Sequence, residues 1–205
     1  YHIYNHLNEL SPAPFSGFYK LYDKYLMSSS PERFLKKQGH KVISQPIKGT
    51  APRGRDEEED RKLKQRLLED VKERAENVMI VDLVRNDLAR TARKNTVKVD
   101  ELFGIYSFKQ VHQMISTISA EVEHSDAVKC LKNAFPMGSM TGAPKIRAME
   151  LIEKYERTKR GLYSGSIGYF TPEGDFDFNV IIRSILYNES QKYVSYIVGG
   201  AITYL

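Results

Sequence analysis

The chain has 205 residues, 41% hydrophobic and 28% charged, the balance of a globular protein able to bury a sizeable core or to form part of a larger one. No apolar run approaches the ~20 residues a bilayer crossing needs, the first residues lack signal-peptide blocks, and a lone Cys130 excludes an intramolecular disulfide and a cysteine-built zinc site. The net charge of +5 is spread among acids, as from Arg55 to Arg74, which disfavours a nucleic-acid groove but suits a small anionic substrate; a cytoplasmic setting is the default expectation.

Ser11 to Pro14 is turn material, and the aromatic run Phe15 to Tyr25 predicts a strand. Ser28-Ser29-Ser30-Pro31-Glu32 has the signature of a helix start, with Gly39 as its end. Lys41 to Gln45 predicts a strand leading into Pro46-Ile47-Lys48-Gly49-Thr50. From Asp56 to about Arg90 the pattern is helical, with Leu63, Leu67, Val71 and Ala75 at four-residue steps. Val97 to Val122 reads as two strands joined near Phe108-Lys109. A short helix follows from Asp126 to Ala134, then a glycine loop from Pro136 to Gly142 and a helix from Pro144 to about Arg157. Strands at Gly165 to Phe170, Phe176 to Leu186 and Lys192 to Val198 close the chain, the first two linked by the Pro172 to Asp175 turn. Strands joined by short turns and interrupted by helices predict an α+β fold with largely antiparallel sheets. The stretch Val198 to Leu205 reads as a strand running into a glycine turn with nothing to cover it, so truncation is expected.

Several residues could carry chemistry. Glu73 and Glu76 share a helix face, where two carboxylates can hold Mg2+, although a solvated acid pair is the commoner outcome. Lys48, at a strand end, could be a nucleophile, a carboxylate binder or simply exposed. The loop from Pro136 to Lys145 joins glycines and hydroxyls to a helix start without the order of a P-loop, and serves equally as an anion site or a turn. His112 lies in an alternating strand and alone reads as a satisfied histidine. Arg183, flanked by branched apolar residues, must find a partner, and a planar carboxylate suits its fork. Tyr163 could add a hydroxyl to that anion site, whereas Cys130 reads as a small buried hydrophobe.

Seven segments occur in one order: Ser30 to Glu32, Pro46 to Thr50, Glu76 to Leu88, Phe135 to Glu150, Arg160 to Gly165, Arg183, and Gly199 to Ile202. In that order they resemble the chorismate-binding enzymes. The lysine before Gly49-Thr50 resembles the aminodeoxychorismate synthases of that family, where anthranilate and salicylate synthases typically carry alanine. The resemblance implies a layered α+β sandwich of largely antiparallel sheets with outer helices. It implies amination of chorismate to 4-amino-4-deoxychorismate, a step of para-aminobenzoate and folate synthesis, with ammonia from a glutamine amidotransferase subunit. By matching position, Lys48 would be the nucleophile that attacks C2, and Glu32 the general acid/base beside the departing C4 hydroxyl. Glu73 and Glu76 would help hold Mg2+. Tyr163 and Arg183, with backbone N–H groups near Gly199 and Ala201, would bind the enolpyruvyl carboxylate, and Thr50 and His112 would line the pocket.

Family members are much longer and carry further metal carboxylates in a later acidic segment. The expectation is therefore a part of one chorismate-binding catalytic domain, truncated at both ends, inactive alone and prone to self-association through uncovered strands. Anthranilate synthesis, with release of pyruvate, and a non-catalytic module that kept the fold are the alternatives.

Overall fold

The computed structural model describes residues 1–123 and 126–202. After a first helix, α1 (His2–Leu10), the aromatic run expected as one strand folds as a hairpin, β1 (Phe15–Leu21) and β2 (Lys24–Ser30). The break falls at Tyr22, whose φ of 52° makes the turn.

The expected helix from Ser28 to Gly39 is absent. Its residues form the end of β2 and a new strand, β3 (Arg33–Gln38), paired to β4 (Lys41–Gln45). Ser30 does accept a hydrogen bond from the Glu32 N–H, as a cap would, but the chain continues as strand. A bulge between Arg33 and Lys36 places Phe34 and Leu35 in succession in the core, which erases the two-residue alternation that marks a strand. The three serines are fully buried on β2, with Ser29 bonded to the Ser11 carbonyl and Ser28 accepting from the Ser184 hydroxyl at 2.9 Å.

β5 (Ile47–Pro52) precedes the long helical segment, which is two helices rather than one: α2 (Glu57–Glu69) and α3 (Val71–Ala89). Asp70 ends the first and caps the second, accepting from the Glu73 N–H at 3.0 Å, while its extended backbone breaks the helical path. Val71, expected on the apolar stripe, is consequently 82% exposed. The stripe of α3 is instead Ile80, Val81, Val84 and Leu88, at the three- and four-residue spacing of one helix face. It packs with Val42 of β4 and with Ile118 and Ala120 of the eleven-residue strand β7 (Val111–Glu121).

β6 (Lys98–Ser107) pairs with β7 as expected, and α4 (Ala127–Ala134) and α5 (Lys145–Tyr155) follow. β8 (Gly168–Phe170) and β9 (Phe176–Asn179) form the predicted hairpin. The strand expected from Phe176 to Leu186 divides, because Val180 to Arg183 cross from one sheet to the other before β10 (Ser184–Asn188) and β11 (Tyr193–Ser195). Arg183 turns the corner with a φ of 50°. From Tyr196 to Ile202 the chain has no regular structure where a strand and turn were expected, and residues 203–205, the end of the expected turn, lie outside the described residues.

The result is α+β. One four-stranded sheet runs β1-β2-β10-β11 and one seven-stranded sheet β5-β7-β4-β3-β9-β8, with β6 on the far edge of β7. Every described pairing is antiparallel. Among the described residues no helix is long and apolar enough to cross a membrane.

Candidate active site

The chain changes sheet twice, at Pro31-Glu32 and at Val180 to Arg183, and the two crossings are bonded together: the Val180 N–H donates to the Glu32 carbonyl at 3.0 Å and the Ser29 N–H to the Arg183 carbonyl at 3.1 Å. This seats Glu32 and Arg183 side by side between the sheets. Glu32 is 5% exposed. Its carboxyl accepts hydrogen bonds from the Ser139 hydroxyl and the Ile47 N–H and feels the charges of Lys48 and Arg183. Burial outweighs these and pushes its pKa up to about 7, the range in which one group can both give and take a proton. Much of Arg183 is exposed, yet burial around its guanidinium holds its pKa below the ordinary value, opposed by the Glu32 charge.

Lys48 follows Ile47 at a bulge in β5, between Ile47 and Thr50. Asn77 of α3 holds the backbone there: its Nδ2 donates to the Lys48 carbonyl at 3.4 Å, while the Ser116 hydroxyl of β7 donates to its Oδ1 at 2.6 Å. Gly49, at φ 99°, is the residue that permits this path, since a Cβ there would lie 3.1 Å from the Met114 Cβ and 3.3 Å from Glu73 Oε2. Glu73 thus lies against the backbone next to Lys48, one turn from Glu76 on α3. Burial raises the Glu73 pKa, and the nearby charges of Glu76 and Asp70 raise it further, with Lys72 and Lys48 opposing. Two carboxylates that repel each other are a donor set a hard cation would relieve, so the pair fits part of a Mg2+ site. No group of three or more metal-ligating side chains exists among the described residues.

Tyr163 belongs to a turn bonded to the second crossing through Ser164 N–H to the Ile181 carbonyl and Ile181 N–H to the Gly165 carbonyl, at 2.9 and 2.8 Å. Burial raises its pKa, and the Arg160 guanidinium lies 5.8 Å from its ring centre. Its hydroxyl sits against Gly199, where a Cβ would come within 2.3 Å of it. Ala201 is exposed on the irregular last segment.

Thr50 and His112 are not neighbours on one surface. In the β5–β7 register Thr50 faces Gln113, and Ala51 faces His112, so the two side chains lie on opposite faces. The ring of His112 is fully buried toward α2, with Nε2 3.0 Å from Asp60 Oδ1 and Nδ1 2.9 Å from the Ser107 hydroxyl. Arg53 also binds Asp60, and its bidentate hydrogen bonds are the main cause of the low Asp60 pKa. The β7 residue on Thr50's face is Gln113, 3% exposed, with an amide oxygen that has no partner. Val111, two residues away on that face, borders a groove with Pro31 and Arg183. Alternation along β7 puts Gln113, and not His112, on the face of Thr50.

A further pair escaped the sequence reading. Lys145 donates to Asp87 Oδ2 at 2.5 Å and to the Ala134 carbonyl at 3.2 Å, linking α5, α3 and the end of α4 behind Ser139. Asp87 is 3% exposed, and burial raises its pKa against the pull of Lys145.

A buried carboxyl with a raised pKa, a primary amine, an arginine and a carboxylate pair are thus brought together in one antiparallel α+β scaffold. Across residues 1–205 the chain matches the family of chorismate binding enzymes, and it belongs to that family. It is 45% identical over 200 residues to aminodeoxychorismate synthase component 1 of Salmonella typhimurium, covering 97% of this chain and 44% of that protein. It is 42% identical over 185 residues to anthranilate synthase component 1 of Thermus thermophilus, covering 90% of this chain and 40% of that protein. Anthranilate synthase component I from Streptococcus pneumoniae superimposes with a TM-score of 0.80 at 35% identity, over 89% of this chain and 40% of that chain. The chain spans less than half the length of these relatives.

Proposed function

We propose that the protein containing this chain aminates chorismate to 4-amino-4-deoxychorismate, with ammonia supplied by a glutamine amidotransferase partner. The observation that carries this reading is the placement of Lys48: a primary amine whose charge acts on both Glu32 and Glu73, at a bulge that frees it from the sheet. The identity to aminodeoxychorismate synthases supports it, since the match includes the segment around Lys48.

In this reading the deprotonated Lys48 amine attacks C2 while protonated Glu32 gives its proton to the C4 hydroxyl, which leaves as water. Ammonia then adds at C4, the Glu32 carboxylate takes a proton from it, and the C2–nitrogen bond to Lys48 breaks. A glutamate with a pKa of about 7 can fill both roles near neutral pH. Arg183 and Tyr163, with the backbone near Gly199 and Ala201, bind the enolpyruvyl carboxylate, and Thr50 lines the pocket beside Lys48. Glu73 and Glu76 would contribute to holding Mg2+, which when bound supplies positive charge for the ring carboxylate.

The test uses the full-length protein with chorismate, Mg2+ and ammonium, following products by chromatography with and without Lys48→Ala. Aminodeoxychorismate without pyruvate, lost in the variant, is expected. Anthranilate with pyruvate would overturn the branch while leaving the family intact; the anthranilate synthase relatives make this the competing outcome.

A further inference from the structure

Lys48 stands where the strand ladder cannot aim it. Between the pairs Ile47–Ile115 and Thr50–Gln113, Lys48 and Gly49 of β5 face Met114 alone, and a bulged residue takes its direction from whatever else holds its backbone. On the other side of β7, β6 carries a matching irregularity. Between Glu101–Thr117 and Gly104–Ile115, Leu102 and Phe103 face Ser116 alone, with Phe103 at a φ of 61°. One run of hydrogen bonds joins the two bulges. The Phe103 N–H donates to the Ser116 hydroxyl at 3.1 Å, that hydroxyl donates to Asn77 Oδ1 at 2.6 Å, and Asn77 Nδ2 donates to the Lys48 carbonyl at 3.4 Å. The Ser116 N–H also donates to the Pro46 carbonyl at 3.3 Å, just before the Lys48 bulge.

Ser116 is fully buried and Asn77 is 1% exposed, so bulk water does not compete for these groups. Asn77 lies on α3, one residue after Glu76 and four after Glu73. Both ends of its amide are matched, the acceptor to Ser116 and the donor to Lys48. We infer that Asn77 is a positioning residue for the Lys48 amine, with Ser116 fixing the amide that does it. The inference rests on the amination reading and deepens it. An amine that attacks carbon needs its direction fixed as well as its charge, and a displacement of ~1 Å costs about 100-fold in rate. An amine that only neutralised a carboxylate would tolerate the same displacement.

Asn77→Leu and Ser116→Ala in the full-length protein test it. The first is neutral and close in size but bonds neither Ser116 nor Lys48. The second leaves the amide in place and frees it to turn. Two quantities are read: the dissociation constant for chorismate without ammonium, and the single-turnover rate of amination per chorismate bound, with Mg2+ and saturating ammonium. Counting per bound chorismate keeps unfolded protein out of the rate. Each variant is expected to lower that rate by about 10- to 100-fold and to leave the dissociation constant within about twofold. A rate within about twofold of a wild type that aminates would overturn the inference alone, and so would equal losses in rate and in binding, which assign Asn77 to the general architecture. If neither variant binds chorismate, a crystal structure of the wild type with chorismate decides. A Lys48 amine facing C2 with its carbonyl on Asn77 upholds the inference, and a Lys48 carbonyl held elsewhere overturns it. A wild type that releases anthranilate and pyruvate would instead remove the amination reading, and with it the attack that Asn77 is inferred to aim.

Discussion

Glu32→Gln is expected to make the protein more stable, and only above acid pH. In the folded chain the Glu32 pKa stands at about 7 against an ordinary 4.5, because burial outweighs its hydrogen bonds and neighbouring charges. The folded state therefore binds the proton more tightly than the unfolded state, and wild-type stability is full below pH 4.5 and is lost as pH rises through 7. The full shift corresponds to about 3 kcal/mol. Glutamine keeps an acceptor for the Ser139 hydroxyl and the Ile47 N–H but has no proton to lose. The stability difference between variant and wild type should grow from near zero at pH 4 to about 3 kcal/mol at pH 8, with half of it in place between pH 5 and 6. Urea denaturation of the full-length protein and its variant across that range, without substrate or metal, reads it directly. A difference that stays flat with pH would refute the burial argument and, with it, the assignment of Glu32 as a group poised to exchange protons near neutrality.

Removing Lys145 should be costly: Lys145→Met strands the Asp87 carboxylate in the core, and the loss expected from breaking such a pair is about 3–5 kcal/mol by urea denaturation. A loss under ~1 kcal/mol would mean that Asp87 finds another partner or stays protonated. The two neighbours on β7 should separate cleanly. His112→Phe, which leaves Asp60 and Ser107 without their ring partner, is expected to lower stability by about 1–3 kcal/mol with the KM for chorismate unchanged. Gln113→Met keeps the volume but removes the free acceptor, and should raise that KM about fivefold, the worth of one hydrogen bond. The reverse pattern would place His112, and not Gln113, at the substrate.

Much of the architecture was legible from the chain alone where patterns were long and local. The β6–β7 pair, the Pro172 to Asp175 hairpin and α5 all follow their turn residues and periodicity. The reading failed where an irregularity interrupts a pattern. Phe34 and Leu35 are both buried because a bulge lies beneath them, so β3 looked helical. Asp70, an internal cap, is spaced three residues before Glu73 and could have marked the break, but the four-residue apolar step ran smoothly across it. At the site, the order of motifs singled out Glu32, Lys48, Glu73 and Arg183, which the fold brings together. Ser139, Asn77 and the Asp87–Lys145 pair were invisible because their roles depend on contacts between segments distant in sequence.

Two of the bulges of the large sheet, one after Arg33 and one after Ile47, stand immediately beside Glu32 and Lys48. In an ordinary strand a one-residue insertion turns every later side chain to the other face, so a residue placed by strict alternation is hostage to the register of the whole ladder. A bulge absorbs such a slip locally. With a bulge at each, the aim of the acid and of the amine can be adjusted separately while Val42, Ile118 and the rest of the core keep their places. For anyone redesigning the pocket, these are the two points where a residue could be added or removed to swing a reactive group by a few ångströms without unpacking the scaffold.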